Sequence, residues 1–154
     1  MNACTLPRTR RTAHARGFTL IEVLVATAIT GVLSSVAYPS FTSTVHKVRR
    51  SDALVAALQV QAAQERWRSG NTAYGSLAQI RQPAVSAAGH YALEVQLHGD
   101  NGYDLVATAR GGQSADAACR TLKLSVVGLN ASYSSGPDAS VANGSDANRQ
   151  CWSL

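Results

Sequence analysis

The residue with the clearest chemical consequence is Glu22, because it places one carboxylate in an otherwise uncharged apolar segment. From Phe18 to Tyr38 no other charged side chain occurs, and at about 1.5 Å per residue this segment is long enough to cross a bilayer. A carboxylate at the bilayer centre costs roughly 2.5–3.5 kcal/mol, and less near the ends, so Glu22 needs water or a cationic partner. The segment itself contains no cation. The nearest candidate is the amino group that forms if the chain is cut between Gly17 and Phe18.

The residues around this point resemble the prepilin signal of type IV pilins and related pseudopilins. A short basic leader ends at Gly17, and Phe18-Thr19-Leu20-Ile21-Glu22 opens the apolar segment. The resemblance implies that a prepilin peptidase cuts after Gly17 and that Phe18 is then N-methylated. It also implies that Glu22 meets the amino terminus of a neighbouring subunit during assembly.

Two other interpretations of this segment stay open. The first is an ordinary secretory signal with a small-residue cleavage site at Ser35-Val36-Ala37, and the second is a plain single-span anchor. An ordinary secretory apolar region runs about 7–15 residues without a carboxylate, whereas this one carries Glu22 near its start. The pattern therefore favours the prepilin interpretation.

The charge distribution predicts the topology and the domain limits. The formal charge of +5 includes four leader arginines, and removal of the leader leaves ten Lys or Arg against nine Asp or Glu. Because basic residues beside a first span stay in the cytoplasm, we expect the rest of the chain to be exported. We thus predict a leader over residues 1–17, a transmembrane and filament-core helix half over 18–38, and a periplasmic domain over 39–154. The resemblance to type IV pilins implies that the protein lies first in the inner membrane and then in an extracellular pilus. The leader arginines are Arg8, Arg10, Arg11 and Arg16.

The cysteines agree with export. Cys4 would leave with the leader, so the mature chain keeps Cys119 and Cys151. A single pair in an oxidising compartment predicts a disulfide, whereas in a cytoplasmic protein the same pair would be two free buried thiols.

A long helix is expected to continue beyond the span to Trp67 or Arg68, before the stop signal Ser69-Gly70-Asn71. Pro39 lies inside it, which predicts a kink in a continuous helix, the alternative being a new helix that starts at Pro39. Helical spacing predicts that four residues form the face packed on the domain: Val48, Val55, Leu58 and Ala62.

Strand periodicity follows a loop over residues 71–89. Apolar residues alternate from Tyr91 to Leu97, the turn Gly99-Asp100-Asn101-Gly102 predicts a hairpin, and residues 103–109 can return as its partner. A third strand is expected from Leu122 to Gly128. The tail, residues 130–148, has few groups that drive packing, so the disulfide would tie it down as a loop.

These elements predict an α+β fold, with a long N-terminal helix packed on a small antiparallel sheet of three to four strands and a disulfide-bounded C-terminal loop. The order of elements resembles the minor pilins grouped with PilE. The resemblance implies a structural subunit of a type IV pilus whose partners are other pilin subunits, the inner membrane and prepilin peptidase. A type II secretion pseudopilin is an alternative, although the cysteine pair speaks against it.

Catalytic and metal sites have little support in the sequence. His46, His90 and His98 are scattered, and no nucleophile or phosphate-loop motif occurs, so we expect no enzyme, no cofactor and no metal. A calcium site from Asp138, Asn143 and Asp146 is conceivable because calcium prefers oxygen ligands, but the spacing matches no EF-hand. Two glycosylation sequons begin at Asn130 and Asn143.

Double-stranded DNA is the alternative partner. Basic residues near the cysteines, with one aromatic ring, could form a groove that binds strands through phosphate contacts and stacking. The candidate contacts are Arg110, Arg120, Lys123, Arg149 and Trp152. A DNA-binding minor pilin that acts in DNA uptake is therefore the second functional hypothesis.

Overall fold

The computed structural model describes residues 17–153. It divides into two compact units at the boundary between Tyr38 and Pro39, and each is described by itself. Of the predicted leader, residues 1–17, all but Gly17 lies outside the described residues, as does Cys4.

Helix α1 runs from Leu20 to Arg68, so its expected end is confirmed. Pro39 lies inside α1, which confirms a continuous helix and excludes a new helix that starts there. The kink expected at Pro39 stays a prediction.

The first unit is an apolar helix in which several hydroxyl groups bond to the helix backbone. An 18-residue window of α1 has a mean hydropathy of 2.0, so by length and composition the helix could cross a membrane. Three of its hydroxyls donate to backbone carbonyls one turn earlier: Thr27 to Leu24 at 2.9 Å, Thr30 to Ala26 at 2.8 Å and Ser35 to Val32 at 2.7 Å. These bonds satisfy the polar groups without water, as hydrocarbon surroundings require.

The second unit contains one antiparallel sheet with strand order β1-β2-β3-β4. The strands are β1 (Tyr91–Leu97), β2 (Gly102–Ala109), β3 (Thr121–Val127) and β4 (Asn130–Gly136). Consecutive strands pair, with Val95 opposite Leu105 and Leu105 opposite Leu124. Gly99 and Gly128, with φ of 60° and 62°, lie in the turns that connect β1 to β2 and β3 to β4. The predicted hairpin is confirmed.

The core lies between one face of the sheet and the second half of α1. The sheet contributes Tyr91, Tyr103, Leu105, Leu122 and Leu124, each 1% exposed or less. The helix contributes mostly small residues: Ala53, Ala56, Ala57, Val60 and Ala63. The small alanine side chains leave volume in the core for the two tyrosine rings.

The predicted inner face of α1 is wrong. Val48, Val55 and Leu58 are 66%, 48% and 53% exposed, and Ala62 is exposed too. The spacing was helical, but the sheet packs against the alanine face instead. The outer side of α1 therefore carries an exposed apolar stripe, in which all residues but one are larger than alanine. We call it the outer stripe, and it consists of Phe41, Val48, Val55, Leu58 and Ala62.

The tail is structured, which corrects the expectation of a loop. Residues after Gly128 form β4, paired with β3 along its length, and helix α2 (Ser145–Trp152). The Cys119–Cys151 disulfide is present and joins the turn before β3 to α2, with Cα atoms 5.4 Å apart. Polar side chains replace the missing apolar groups: Asn148 accepts from Ser135 at 2.8 Å and donates to the Tyr133 carbonyl at 2.7 Å.

Candidate functional site

The predicted cleavage bond lies just before the helix. Gly17, Phe18 and Thr19 are exposed and non-helical, and α1 begins at Leu20. A peptidase can reach an exposed, non-helical bond without first unwinding a helix. The local structure therefore suits a cut between Gly17 and Phe18.

Glu22 takes part in a capping box with Thr19. The Thr19 N–H donates to Glu22 Oε2 at 3.5 Å, and the Glu22 N–H donates to Thr19 Oγ1 at 3.3 Å. Both groups belong to the first turn, where backbone donors have no partner inside the helix. Sequence reasoning missed this role, although threonine followed three residues later by glutamate is its signature. Within a single chain, Glu22 thus has backbone and hydroxyl partners and needs no cation to begin the helix.

A buried ion pair positions the segment between β2 and β3. The Arg50 guanidinium donates to both oxygens of Asp116, at 2.7 and 2.8 Å, and this bond raises the pKa of Arg50. Gln113 is fully buried and donates to Asp116, to the Tyr91 hydroxyl and to the His46 carbonyl. These bonds fix two short 3-10 turns, Gly111–Ala115 and Ala117–Cys119, against α1.

A second buried carboxylate lies on the sheet face opposite the helix. Asp104 is 4% exposed, and its Oδ2 lies 2.6 Å from Lys123 Nζ and 2.8 Å from His98 Nε2. Burial alone would raise the pKa of Asp104, but donation from Lys123, Ser125 and His98 lowers it to about 2. Its charge is therefore compensated inside the protein.

The five predicted DNA contacts do not form one groove. Lys123 is paired with Asp104, and Arg120 donates to the carbonyls of Ser114 and Pro137. Arg110 is exposed beside the first 3-10 turn, and Arg149 is exposed on α2.

Trp152 does not offer an exposed ring, so that expectation is wrong. It is 2% exposed, its Nε1 donates to the Ser134 carbonyl at 2.9 Å, and its ring packs edge-on against Tyr133 at 5.0 Å. The chain end folds back as α2, which places this ring in the core.

Two basic concavities flank the loop that connects α1 to β1. The Arg49–Arg110 cleft, about 420 Å³, is lined by Arg49, His90 and Arg110 with Gly89, Gly111 and Gly112. Among the described residues, neither arginine side chain has a salt bridge or hydrogen bond to the protein.

The second concavity, the Trp67 groove, is about 350 Å³ in volume. It is lined by Ala63, Arg66, Trp67, Gln79, Ile80 and Arg81. Trp67 is half-buried, so part of its ring faces the groove, whereas Arg66 and Arg81 are exposed. Neither concavity has a carboxylate in its lining. Sequence reasoning named Arg110 as a candidate DNA contact but did not predict either concavity, since their residues come from separate helix and loop positions. The signal that could have been seen is Arg66-Trp67-Arg68 at the helix end.

Two sequence models match adjoining parts of the chain. The model of the prokaryotic N-terminal methylation motif matches residues 12–38. The model of the type IV minor pilin ComP, the DNA uptake sequence receptor, matches residues 39–123, more than half of the chain. The chain belongs to the ComP family of type IV minor pilins. No curated protein matches it.

The ComP match confirms the type IV pilin resemblance and the minor pilin assignment. It covers the second half of α1, β1, β2, the ion-paired turns and the start of β3. The methylation motif includes the Gly17–Phe18 bond and Glu22. Pilin families are structural proteins, in line with the expectation of a structural role. The family favours a minor pilin over the type II secretion pseudopilin that the sequence left open.

The oxygen-rich calcium candidate is used for internal hydrogen bonds. Asp138 accepts the Ser140 N–H at 2.8 Å, and Asn143 donates to the Ala118 carbonyl at 2.7 Å. Asp146 lies in the first turn of α2. Across residues 17–153, no group of three or more His, Cys, Asp or Glu side chains could hold a metal ion.

Proposed function

We propose that this minor pilin is cut after Gly17, N-methylated at Phe18, and held in the inner membrane with residues 39–154 in the periplasm before it enters a pilus. The methylation motif and the non-helical bond before α1 support the cut. The basic leader supports the orientation. Prepilin peptidase and other pilin subunits are the partners that this route requires.

Two features of α1 support incorporation into a filament. The capping box leaves the Glu22 side chain exposed at the helix start, where its charge can pair with the amino terminus of a neighbouring subunit. The outer stripe places large apolar residues on the periplasmic half of the helix, where water would otherwise cover them. Pairing of the Glu22 charge with a cation and burial of the outer stripe both require a second subunit.

We propose further that the domain is a receptor for double-stranded DNA in DNA uptake. The main support for this proposal is the match to the ComP family, whose model is described as the DNA uptake sequence receptor. The charges support it. After Pro39 the chain has ten Lys or Arg and eight Asp or Glu, but Asp104 and Asp116 are buried and paired. Because each of them pairs with one Lys or Arg, the excess of two positive charges is unchanged, and the basic concavities suit a phosphate backbone.

DNA binding by the full chain in non-ionic detergent tests this proposal. We expect a labelled duplex to bind. The logarithm of its association constant should fall linearly with the logarithm of the salt concentration between roughly 50 and 200 mM. Arg81→Ala should reduce the slope, whereas Gln59→Ala, a neutral truncation of an exposed residue of α1, should leave it unchanged. Competition between DNA of the same bacterium and unrelated DNA measures sequence preference. Absence of binding at the lowest salt would refute the receptor proposal and leave the minor pilin assignment intact.

A further inference from the structure

The Arg49–Arg110 cleft brings together two arginines that are 61 positions apart in the sequence. Arg49 lies on α1, and Arg110 directly follows β2. The turn after Arg110 brings them together: a Cβ placed on Gly112 would lie 3.4 Å from Arg49 Nη1. The Arg50–Asp116 ion pair and Gln113 hold this turn against α1. The approach of the two arginines is therefore built into the packing of the domain.

The positive charge of the cleft is not cancelled by the nearest carboxylates. Asp116 is already engaged by Arg50. Asp52, three residues after Arg49, accepts from the Ser86 hydroxyl at 2.6 Å and from the N–H groups of Ala88 and His90 at 3.0 and 3.2 Å. Burial opposes ionisation of Asp52, but these donors outweigh it and lower its pKa. Asp52 is thus committed to positioning the segment that carries His90.

The shape of the cleft suits a small tetrahedral anion that is part of a polymer backbone. Three of its lining residues are glycines, so no side chain covers this part of its wall. Gly111 has a φ of 53°, a conformation that favours glycine and turns the chain sharply after Arg110. An anion entering the cleft would meet two guanidinium groups and an imidazole. Guanidinium groups bind phosphate through paired donors in a fixed geometry.

We propose that the Arg49–Arg110 cleft binds one phosphate of the DNA backbone, with Arg49 and Arg110 as its two charged contacts. This inference rests on the proposed DNA-receptor function and assigns a contact within it. Phosphate contacts fix the position of a duplex but read no bases. The cleft therefore contributes affinity equally to all sequences, and any sequence preference comes from other residues.

Salt-dependent DNA binding by the full chain in non-ionic detergent tests the cleft. Arg49→Ala and Arg110→Ala should each weaken binding on the order of tenfold, by the same factor for different duplexes, and lower the salt slope by about one. Because both arginines hold one phosphate, the double variant should lose less than the product of the single losses. The control pair is Arg49→Ala with Arg66→Ala, since Arg66 lies 17 residues along the same helix, about 25 Å away. The losses of this pair should multiply.

Several outcomes distinguish the possibilities. If the parent binds DNA and both cleft variants bind equally well, the cleft inference is wrong and the receptor function stands. If losses from Arg49→Ala and Arg110→Ala multiply, the arginines contact separate phosphates and the single-site inference is wrong. If the variants lose binding only to micelles that contain phosphatidylglycerol, the cleft serves a lipid headgroup instead. A parent that binds no DNA overturns both the receptor function and this inference.

Discussion

Removal of the disulfide by Cys151→Ser is the most direct test of how the C-terminal region is held. The bridge joins two cysteines that are 32 positions apart in the sequence and are each 2% exposed. In the chain-entropy treatment, a closed loop of this length stabilises the folded state by about 3.5–4 kcal/mol. A small domain has only about 5–15 kcal/mol in total. We therefore expect a loss of roughly a quarter to three quarters of the stability of the domain.

The structure also predicts where loosening begins. β4 is hydrogen-bonded to β3 along seven paired residues and does not depend on the bridge for its position. α2 buries only Cys151 and Trp152, and its other ties are single hydrogen bonds, among them those of Asn148 and Trp152 and the donation from Arg50 to the Gln150 carbonyl at 3.2 Å. Without the bridge α2 should detach first, while β4 stays in the sheet.

Thermal unfolding and limited proteolysis of the full chain in non-ionic detergent measure both effects. We expect the melting temperature of the domain to fall on the order of 15 °C. The first cuts should lie in residues 137–144, between β4 and α2. Cys4→Ser is the matched control, because it makes the same substitution in the predicted leader and should change neither measurement.

Two results would refute this reasoning. Two titratable thiols besides Cys4 in the unreduced native protein would show that the bridge does not form. Early cuts within β4 would show that the strand depends on the bridge and that its ladder with β3 contributes little.

Three further predictions concern processing, assembly and acid stability. Gly17→Val should leave the chain uncut, whereas the parent chain should begin at a methylated Phe18. Mass spectrometry of the amino terminus measures both results. A chain that begins at Tyr38 would instead establish an ordinary secretory signal. Glu22→Gln keeps an oxygen for the capping box but removes the charge, so it should reduce incorporation into sheared pili. Thr19→Ala removes the hydroxyl of the box and keeps the charge, so it should incorporate normally. Equal incorporation of the parent and both variants would contradict the role assigned to the charge. The pKa of Asp104 is lowered from 3.8 to about 2, so its contribution to the free energy of unfolding is present above pH 4 and is lost as the pH falls towards 2. Asp104→Asn should flatten this part of the stability profile by up to about 2 kcal/mol, and a profile with the same slope as the parent would count against the assigned ion pair.

The sequence predicted the elements whose pattern is local. Strict alternation from Tyr91 to Leu97 and the glycine-rich turn after it specify a hairpin without help from the rest of the chain. The end of α1 was likewise visible, because Asn71 Nδ2 and the Gly70 N–H satisfy the carbonyl of Trp67 at the last turn. The methylation motif is also contiguous in the sequence, so it could be recognised without knowledge of the fold.

The C-terminal region could not be predicted because its stability comes from polar side chains and from contacts distant in sequence. β4 reads as Asn-Ala-Ser-Tyr-Ser-Ser-Gly, with no apolar alternation, yet Ser135 is fully buried and bonded to Asn148. The buried position of Trp152 depends on the fold of α2 over β4. The basic concavities share this origin, since each combines residues of α1 with residues of a loop.

Helix α1 shows why hydrophobic spacing gave the wrong buried face. The pattern argument assumes that the largest apolar residues face the core of their own chain. In this domain the sheet already supplies Tyr91, Tyr103 and four leucines, so the helix fits against it mostly with alanines. The larger residues of α1, including Val48, Val55 and Leu58, then remain exposed at a cost that an isolated domain does not recover. A helix of a filament subunit has two partners, its own sheet and its neighbours, and the size of its apolar residues differs between the two faces because the partners differ. The exposed stripe is thus the feature of this domain that an isolated globular fold explains least and that an assembled pilus explains best.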